Sequence, residues 1–441
     1  MSGDRGGVTD ARIAAASVLS DLRQGDLLDA AFERRSAGLD PRDRRWLHEL
    51  LWGLLRKRGW LDAVLSPRVT GGLAKLDNDV VDLLRCGLYQ LLFMGSVPAY
   101  AAIAQTVEIT KRRTGIGASK LVNAVLRRAD RERDTLQPPV PADPIDALAE
   151  TYSHPAWLVA RWAERWGADE TERLLQANND NSTITVRPHA VSLDVLEAQL
   201  AIDGVETSPV PYVQDSLRLG AGVALTELTA FKQGLFYVQD PAATLVSQYA
   251  DIPQGAIVYD LCAAPGSKSL ELARRAETVF AVDRSAPRVE RMLAGFARLQ
   301  VANIRAVVAD ALHPGFAPQS ADVVLVDAPC TGTGTFRRHP DARWRLRVSD
   351  FAVLGATQRG ILRSAANLVK PGGLLIYSTC SLELDENDDQ ITTFLAKHAD
   401  FSLEPSVNTV DASLLEHGYL RVLPHRHGSD GAFAARLRRA V

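Results

Sequence analysis

Two of the four cysteines in the chain directly follow buried-strand patterns. The apolar run 323–326 leads to Cys330, and the run 374–377 leads to Cys380. Short apolar runs bounded by turn residues predict core strands of a parallel sheet, and ligands bind at the carboxyl ends of such strands. Two thiols at that edge, one of them three residues after Asp327, indicate covalent chemistry on an electron-poor ring.

Methylation of C5 of a pyrimidine would use these three groups. C5 becomes nucleophilic only after a thiolate has added to C6, and a carboxylic acid at N3 supports the developing charge. A base must then remove the C5 proton so that elimination frees the enzyme. Cys330, Cys380 and Asp327 supply these functions, but their chemistry alone does not decide which thiol attacks. An amine methyltransferase would carry Asp/Asn-Pro-Pro-Tyr after the predicted strand 323–326. The sequence has Asp-Ala-Pro-Cys at 327–330 instead, which argues against amine substrates.

The other cysteines, Cys86 and Cys262, are interpreted as ordinary buried side chains. A zinc site is not expected, because the chain has no Cys-x-x-Cys pair or paired histidines beside the two thiols. Four cysteines in 441 residues are also too few for a disulfide scaffold. We therefore expect a reduced, cytoplasmic protein without a metal ion or a membrane segment.

A loop of small residues follows the predicted strand 257–261, and a helix is predicted to begin near Leu270. Only one glycine of a dinucleotide fingerprint is present, and the glycine that would open a P-loop is missing. The pattern instead fits S-adenosylmethionine, with Asp283 placed for the ribose hydroxyls and Asp310 for the adenine, unless these acids only cap helices. The predicted cofactor residues are Cys262, Ala263, Ala264, Pro265, Gly266, Ser267, Lys268, Asp283, Arg288, Asp310 and Asp327.

Three regions of different pattern must position these residues. Residues 8–134 show helical periodicity, and the proline-dense stretch 137–144 is typical of a linker. From about residue 236, strands at 257–261, 279–282, 305–308, 323–326 and 374–377 alternate with helices, which predicts a doubly wound, Rossmann-like parallel sheet. The predicted domains are an all-helical domain at 1–136, a small α+β connector at 145–232 and an α/β domain at 233–441.

The net charge of -3 conceals an asymmetry along the chain. Residues 1–140 hold 22 Lys and Arg against 17 Asp and Glu, a net of +5, so the remainder carries -8. A mildly basic front half suits a polyanionic partner, although this excess alone is weak evidence.

The motifs together resemble the NOL/NOP/Sun family of RNA cytosine-C5 methyltransferases. The resemblance is carried by residues 260–268, 327–334 and 378–381, and the loop 337–344 narrows it to the bacterial RsmB (Sun) subfamily, which modifies 16S ribosomal RNA. The segments 87–92 and 121–127 resemble the NusB-like RNA-binding domain of that subfamily, and 428–433 resembles the approach to its last strand.

This resemblance implies a role for each thiol. It makes Cys380 the nucleophile, assigns Cys330 to product release and places Asp327 at N3 of cytosine. One departure is that Ser267 and Ser269 replace the second glycine and the threonine of the usual Pro-Gly-Gly-Lys-Thr loop. Serine is accommodated if position 267 keeps a negative φ.

A run of basic side chains follows the Cys330 loop. We expect Arg337, Arg338, His339 and Arg343 to contact phosphates of the RNA, with a flipped or single-stranded cytosine as the target. The expected partner is 16S ribosomal RNA, and the expected oligomeric state is a monomer. The alternatives are a tRNA or another ribosomal site as substrate, or an RNA-binding assembly factor without activity.

Overall fold

The computed structural model describes residues 8–441. Residues 1–7, which include the start of the predicted helical domain, lie outside the described part. The described chain forms two compact units. The first runs to Asn179 and also contains His339–Arg345, and the second contains Asp180–Arg338 and Leu346–Val441.

The first unit is helical, as its periodicity predicted. Its helices are α1 (Asp10–Arg23), α2 (Leu28–Ser36), α3 (Pro41–Leu65), α4 (Asn78–Phe93), α5 (Ala99–Thr114), α6 (Ile116–Arg131), α7 (Pro144–Tyr152), α8 (Ala156–Trp166) and α9 (Ala168–Asn179). Local sequence sets their ends: Asp40 accepts from the amides of Arg42 and Asp43 at the start of α3, and Asp143 caps α7 in the same way. The proline-dense segment therefore leads into helices of the same compact unit.

A short segment from the middle of the chain, which includes α15 (Ala342–Arg345), is also part of the first unit. The Arg343 side chain is fully buried there and donates to the Ser153 and Asn178 carbonyls and to Asn179 Oδ1 at 2.8–3.3 Å. Trp344 donates from Nε1 to the carbonyl of Leu55 at 2.8 Å. Burial lowers the pKa of Arg343 to about 9. The segment is thus held by buried polar bonds as well as by packing.

Removing the Arg343 guanidinium should destabilise the first unit. Arg343→Ala leaves buried carbonyl oxygens without donors, and we expect a loss of about 2–4 kcal/mol in its free energy of unfolding. All seven tryptophans lie in this unit, so tryptophan fluorescence during denaturation of the full chain reports on it alone. Arg345→Ala is the matched control, since Arg345 is exposed and should change stability by less than about 0.5 kcal/mol. Equal losses of stability in the two variants would contradict a stabilising role for the buried Arg343 guanidinium.

The second unit begins with a small antiparallel sheet and its helices. Its strands are β1 (Thr185–Pro188), β2 (Thr207–Pro209), β3 (Leu217–Leu219) and β4 (Phe236–Val238), in the order β2-β3-β1-β4, with α10 (Leu193–Ile202) and α11 (Thr229–Lys232). The buried side chain of Arg187, on β1, pairs with Glu271 at 2.6 Å. This ion pair ties the small sheet to the helix that follows the predicted cofactor loop.

The larger sheet holds the predicted site at its centre. Its elements are α12 (Pro241–Ala250), β5 (Ile257–Leu261), α13 (Ser267–Ala273), β6 (Thr278–Asp283), α14 (Ala286–Arg298), β7 (Ile304–Val308), β8 (Ala321–Asp327), α16 (Val348–Leu368), β9 (Val369–Thr379), α17 (Asp388–Lys397), β10 (Phe401–Leu403), β11 (Leu415–Glu416), β12 (Tyr419–Val422), α18 (Pro424–His427) and β13 (Ala432–Arg439). The order is β11-β12-β13-β9-β8-β5-β6-β7, with β10 on β13. Strands β5 to β9 are parallel, and the strand order reverses beside β5.

The predicted Rossmann-like fold is confirmed, with three differences in detail. Helix α13 begins at Ser267 rather than near Leu270. The connection from β7 to β8 has no helix among its residues, all of which are described. The parallel strands are also extended by antiparallel pairing of β13 with β9, a pairing between distant segments that local periodicity does not reveal.

Candidate active site

The predicted cofactor loop turns sharply between β5 and α13. Cys262 and Gly266 both have positive φ, at 67° and 99°. A Cβ on Gly266 would come within 2.8 Å of Met292 and Phe296, so this position requires glycine. Ser267 is the first residue of α13 and has a helical backbone, so the serine is accommodated without the glycine of the usual loop.

Two predicted cofactor residues are joined through Arg288. Its guanidinium lies 2.9 Å from the buried carboxylate of Asp283 at the end of β6, and it donates to the carbonyl of Ala264 in the loop at 2.5 Å. Asp310, after β7, is exposed and accepts from the amide of Leu312 at 2.9 Å. Asp283 and Asp310 therefore follow adjacent strands at one sheet edge, as predicted.

Asp260, on the central strand β5, is fully buried. Its Oδ2 accepts from the hydroxyl of Ser269, the serine that stands in place of the usual threonine. Its Oδ1 has no hydrogen-bond partner among the described residues. Burial raises the pKa of Asp260 to about 7. A buried carboxylate oxygen beside a ligand-binding loop fits a site that receives hydrogen-bond donors from a ligand.

The buried Asp260 should make stability depend on pH. Because its pKa in the folded chain lies above the ordinary 3.8, the folded protein holds the proton more tightly than the unfolded chain. Stability should therefore fall as pH rises from about 4 to about 7, by about 1.4 kcal/mol per unit of pKa shift. Urea denaturation followed by circular dichroism would measure this slope, and Asp260→Asn should flatten it. An equal slope in the variant would contradict the assignment.

The two predicted active-site thiols meet between β8 and β9. The strands are parallel neighbours with Asp327 opposite Ser378, so the loops that follow them lie side by side. The Sγ atoms of Cys330 and Cys380 are 3.2 Å apart, and both thiols are free. The Gly334 amide donates to the Cys380 carbonyl at 3.0 Å, which holds the two loops together.

Asp327 connects the thiols with the cofactor loop. Its Oδ2 accepts from Lys268 Nζ at 2.7 Å, and its Oδ1 accepts from Ser378 Oγ at 2.9 Å. Burial of Lys268 opposes its charge, but the Asp327 carboxylate outweighs this and raises the pKa of Lys268. Lys268 is therefore favoured in its charged form beside Asp327. The sequence predicts Asp327 as an acid at N3, and Lys268 is the proton donor that contacts this side chain.

A cavity of about 180 Å³ opens beside this pair. Cys380, Lys268 and Asp327 are among its lining residues, and Cys330 is not. The remaining lining residues come from α12 and its N-cap, the Cys330 loop, the end of β9 and the start of β13 with the residues before it: Asp240, Ala242, Ala243, Val246, Thr335, Thr379, Asp430, Gly431 and Ala432. The two thiols thus differ in position, because only Cys380 lines this cavity, although both side chains are partly buried.

The structure assigns the basic run after Cys330 largely to internal ion pairs. Arg338 contacts the carboxylates of Asp430, at 2.7 Å, and Asp240. Arg337 donates to the carbonyl of Gly428 at 3.2 Å.

Two further members of the run belong to the first unit. The partly exposed ring of His339 lies 3.1 Å from Asp29. Arg343 is a correction: its side chain is buried in the first unit, so a phosphate cannot reach it in this conformation. A run of charges in the sequence does not reveal which carboxylates or carbonyls it will meet.

Sequence reasoning missed two buried polar residues beside the thiols, Glu386 and Gln358. Glu386 lies in the acidic stretch after Cys380, which looks like the solvated start of a helix, yet it is fully buried. Gln358, in the middle of α16, is buried as well. The only local signal for Glu386 is its position six residues after the proposed nucleophile.

Residues 8–441, the described part of the chain, hold neither a membrane-spanning helix nor a cluster of metal ligands. No helix there has the length and apolar character needed to cross a membrane. Within the same range, no three His, Cys, Asp or Glu side chains are grouped so that they could hold a metal ion.

Three family models match the chain. They are the NusB family over residues 9–131, the RsmF/B-like ferredoxin-like domain over 154–226 and the 16S rRNA methyltransferase RsmB/F model over 249–438. A Vibrio cholerae protein named ribosomal RNA small subunit methyltransferase B is 31% identical, covering 98% of both chains. The protein of that name from Pasteurella multocida is 34% identical and covers 97% of this chain and 96% of its own.

Solved structures agree with these matches. The crystal structure of PH0851 has a TM-score of 0.83 at 28% identity and covers 98% of both chains. A methyltransferase homologue from Pyrococcus horikoshii has a TM-score of 0.58 at 27% identity, over 68% of this chain and 99% of its own. The chain therefore belongs to the RsmB/F family of ribosomal RNA methyltransferases, with a NusB-like domain before the methyltransferase domain.

Proposed function

We propose that the protein methylates C5 of a specific cytosine in 16S ribosomal RNA through a covalent bond between Cys380 and C6. The observation that carries the proposal is the shared cavity of Cys380, Lys268 and Asp327, with the sulfur atom of a second thiol 3.2 Å from that of Cys380. A nucleophile, a proton-holding pair and a second thiol are the groups that C5 methylation needs.

S-adenosylmethionine would supply the methyl group. The residues that would hold it are the loop 262–268, Asp283 with Arg288, and Asp310. The buried Asp260 Oδ1, which has no partner among the described residues, supports a ligand with hydrogen-bond donors at this loop. The open carboxyl edge of β5, β6 and β7 beside the thiols supports the same placement.

Asp327 and Lys268 would manage the charge that develops on the base. Because Lys268 Nζ lies 2.7 Å from Asp327 Oδ2, the pair holds one proton that can pass to N3 when Cys380 adds to C6. The same proton returns to the pair when Cys380 leaves.

Ribosomal RNA would be the partner, which is consistent with the predicted cytoplasmic location. Direct phosphate contacts remain a proposal for Arg337, Arg338 and His339, although their internal partners reduce the charge that they offer. If four to six phosphates are neutralised, log K against log salt should slope by about -0.7 per phosphate for a single strand. A monomer remains the expected state.

The direct test is to incubate the full chain with labelled S-adenosylmethionine and protein-free 16S ribosomal RNA and to map the label. One labelled cytosine carrying 5-methylcytosine is expected. Small subunits that lack the modification and bulk tRNA are the comparison substrates. If the label appeared only in tRNA, the substrate would be tRNA and not 16S ribosomal RNA. If no RNA were labelled, the result would favour a non-catalytic RNA-binding protein.

A further inference from the structure

Two buried side chains, Glu386 and Gln358, bind the residues on both sides of Cys330, and this pair is called the bracket below. The carboxylate of Glu386 accepts from the Thr331 amide at 2.9 Å and from the Thr331 hydroxyl. Gln358 Nε2 donates to the Pro329 carbonyl and to Glu386 Oε1, both at 3.0 Å. The residues before and after Cys330 are therefore each bonded to one member of a Glu386–Gln358 pair.

The bracket also reaches the neighbour of the other thiol. The Thr331 hydroxyl lies 3.3 Å from that of Ser381, the residue after Cys380. Tyr377 donates from its hydroxyl to the Glu386 carbonyl at 2.6 Å, which anchors the backbone of Glu386 under β9. Glu386, Gln358, Tyr377 and Ser381 are buried, whereas Thr331 is partly buried and Pro329 is exposed, so these bonds join buried side chains to the loop that carries Cys330.

The charged groups beside the two thiols differ. The cavity of Cys380 holds the ammonium of Lys268 together with the acidic side chains of Asp240, Asp327 and Asp430, whereas the charged neighbour of Cys330 is Glu386. The titratable groups that face Cys330 are Cys380, Glu386 and Tyr377, and none of these three is a cation. The hydrogen bond to Cys380, burial and the negative charge of Glu386 all raise the pKa of Cys330 well above its ordinary value.

From this geometry we propose that Glu386, held by Gln358, is a positioning residue that keeps Cys330 as a thiol donating to a Cys380 thiolate. The inference rests on the proposed function and adds to it a physical reason why two adjacent cysteines take different roles. Glu386 reaches the reacting atoms only through the Cys330 loop.

The protons gained and lost by the two thiols balance over one catalytic cycle. Cys380 adds to C6 as a thiolate, which removes one negative charge beside Cys330, and the Cys330 thiol then loses its proton to water. The Cys330 thiolate takes the C5 proton, the C–H electrons re-form the C5–C6 double bond, and Cys380 leaves with the C–S electrons. The site returns to one thiol and one thiolate, and one proton has been released for each methyl group transferred.

The test measures the two thiols without RNA, so it does not depend on which substrate is methylated. The full chain is alkylated with iodoacetamide over a range of pH, and peptide mass spectrometry quantifies each cysteine separately. Because the thiolate is the reactive form, we expect Cys380 to react at lower pH than Cys330. In Glu386→Gln the midpoint for Cys330 should fall by about one pH unit, while Asp389→Asn, an exposed acid on α17, should leave it unchanged.

Two further variants separate charge from geometry. Gln358→Leu removes the amide but keeps the Glu386 charge. It should lower kcat by about tenfold with little effect on KM for RNA. Cys380 should still be alkylated at lower pH than Cys330 in this variant. Glu386→Asp keeps the charge and should also retain the order, which tests the proposal even if Glu386→Gln does not fold. Reaction of Cys330 before Cys380 in the unaltered chain, or an unchanged midpoint in folded Glu386→Gln, would overturn the proposal. A failure to methylate 16S RNA with the alkylation order intact would instead overturn the proposed function alone.

Discussion

Cys380→Ala should abolish methyl transfer, with a loss of at least about a thousandfold in kcat. The expected effect is this large because without a sulfur at C6 the C5 carbon never becomes nucleophilic. Initial rates with labelled S-adenosylmethionine and 16S ribosomal RNA would measure it. Cys86→Ala is the control, since Cys86 is a buried thiol of the helical unit and should leave the rate within a few fold. Substantial turnover by Cys380→Ala would mean that another group attacks the base.

Cys330→Ala should convert the enzyme into one that stays bound to its RNA. Cys380 still adds to C6 and the methyl group is still transferred, but no thiol remains to remove the C5 proton, so elimination stops. A protein–RNA adduct that survives a denaturing gel should accumulate to nearly one RNA per protein, whereas the unaltered chain should show little.

The matched control for the adduct is the double change Cys330→Ala with Cys380→Ala, which should form none. If Cys380→Ala alone traps RNA, the roles of the two thiols are reversed. The presence of Cys380, and not of Cys330, among the residues that line the cavity favours trapping by Cys330→Ala.

The strands that carry the site could be predicted closely from the sequence. The prediction at 257–261 coincides with β5, and 305–308 lies within one residue of β7. Parallel strands are buried on both faces, so they appear as continuous apolar runs with clear ends. The residues that follow those ends were therefore predicted to lie together, and the 3.2 Å between the two sulfur atoms agrees with that expectation.

The buried polar partners could not be predicted in the same way. Glu386 and Thr331 are 55 positions apart, and nothing local distinguishes Glu386 from its exposed neighbour Asp389. Arg343 shows the same limit, because a basic run suggested phosphate contacts while the folded chain uses this side chain to bind carbonyls. Such bonds depend on which distant elements pack together. The local pattern of residues along a sequence does not reveal that packing.

The most direct measurement is the identity of the bond in the adduct that Cys330→Ala forms with 16S ribosomal RNA and S-adenosylmethionine. The adduct would be digested with nuclease and protease, and its cross-linked peptide would be analysed by mass spectrometry. We expect a peptide containing Cys380 joined to a single cytidine nucleotide that carries one added methyl group. A cross-link at any residue other than Cys380, or an adduct with a base other than cytosine, would contradict C5 methylation through Cys380.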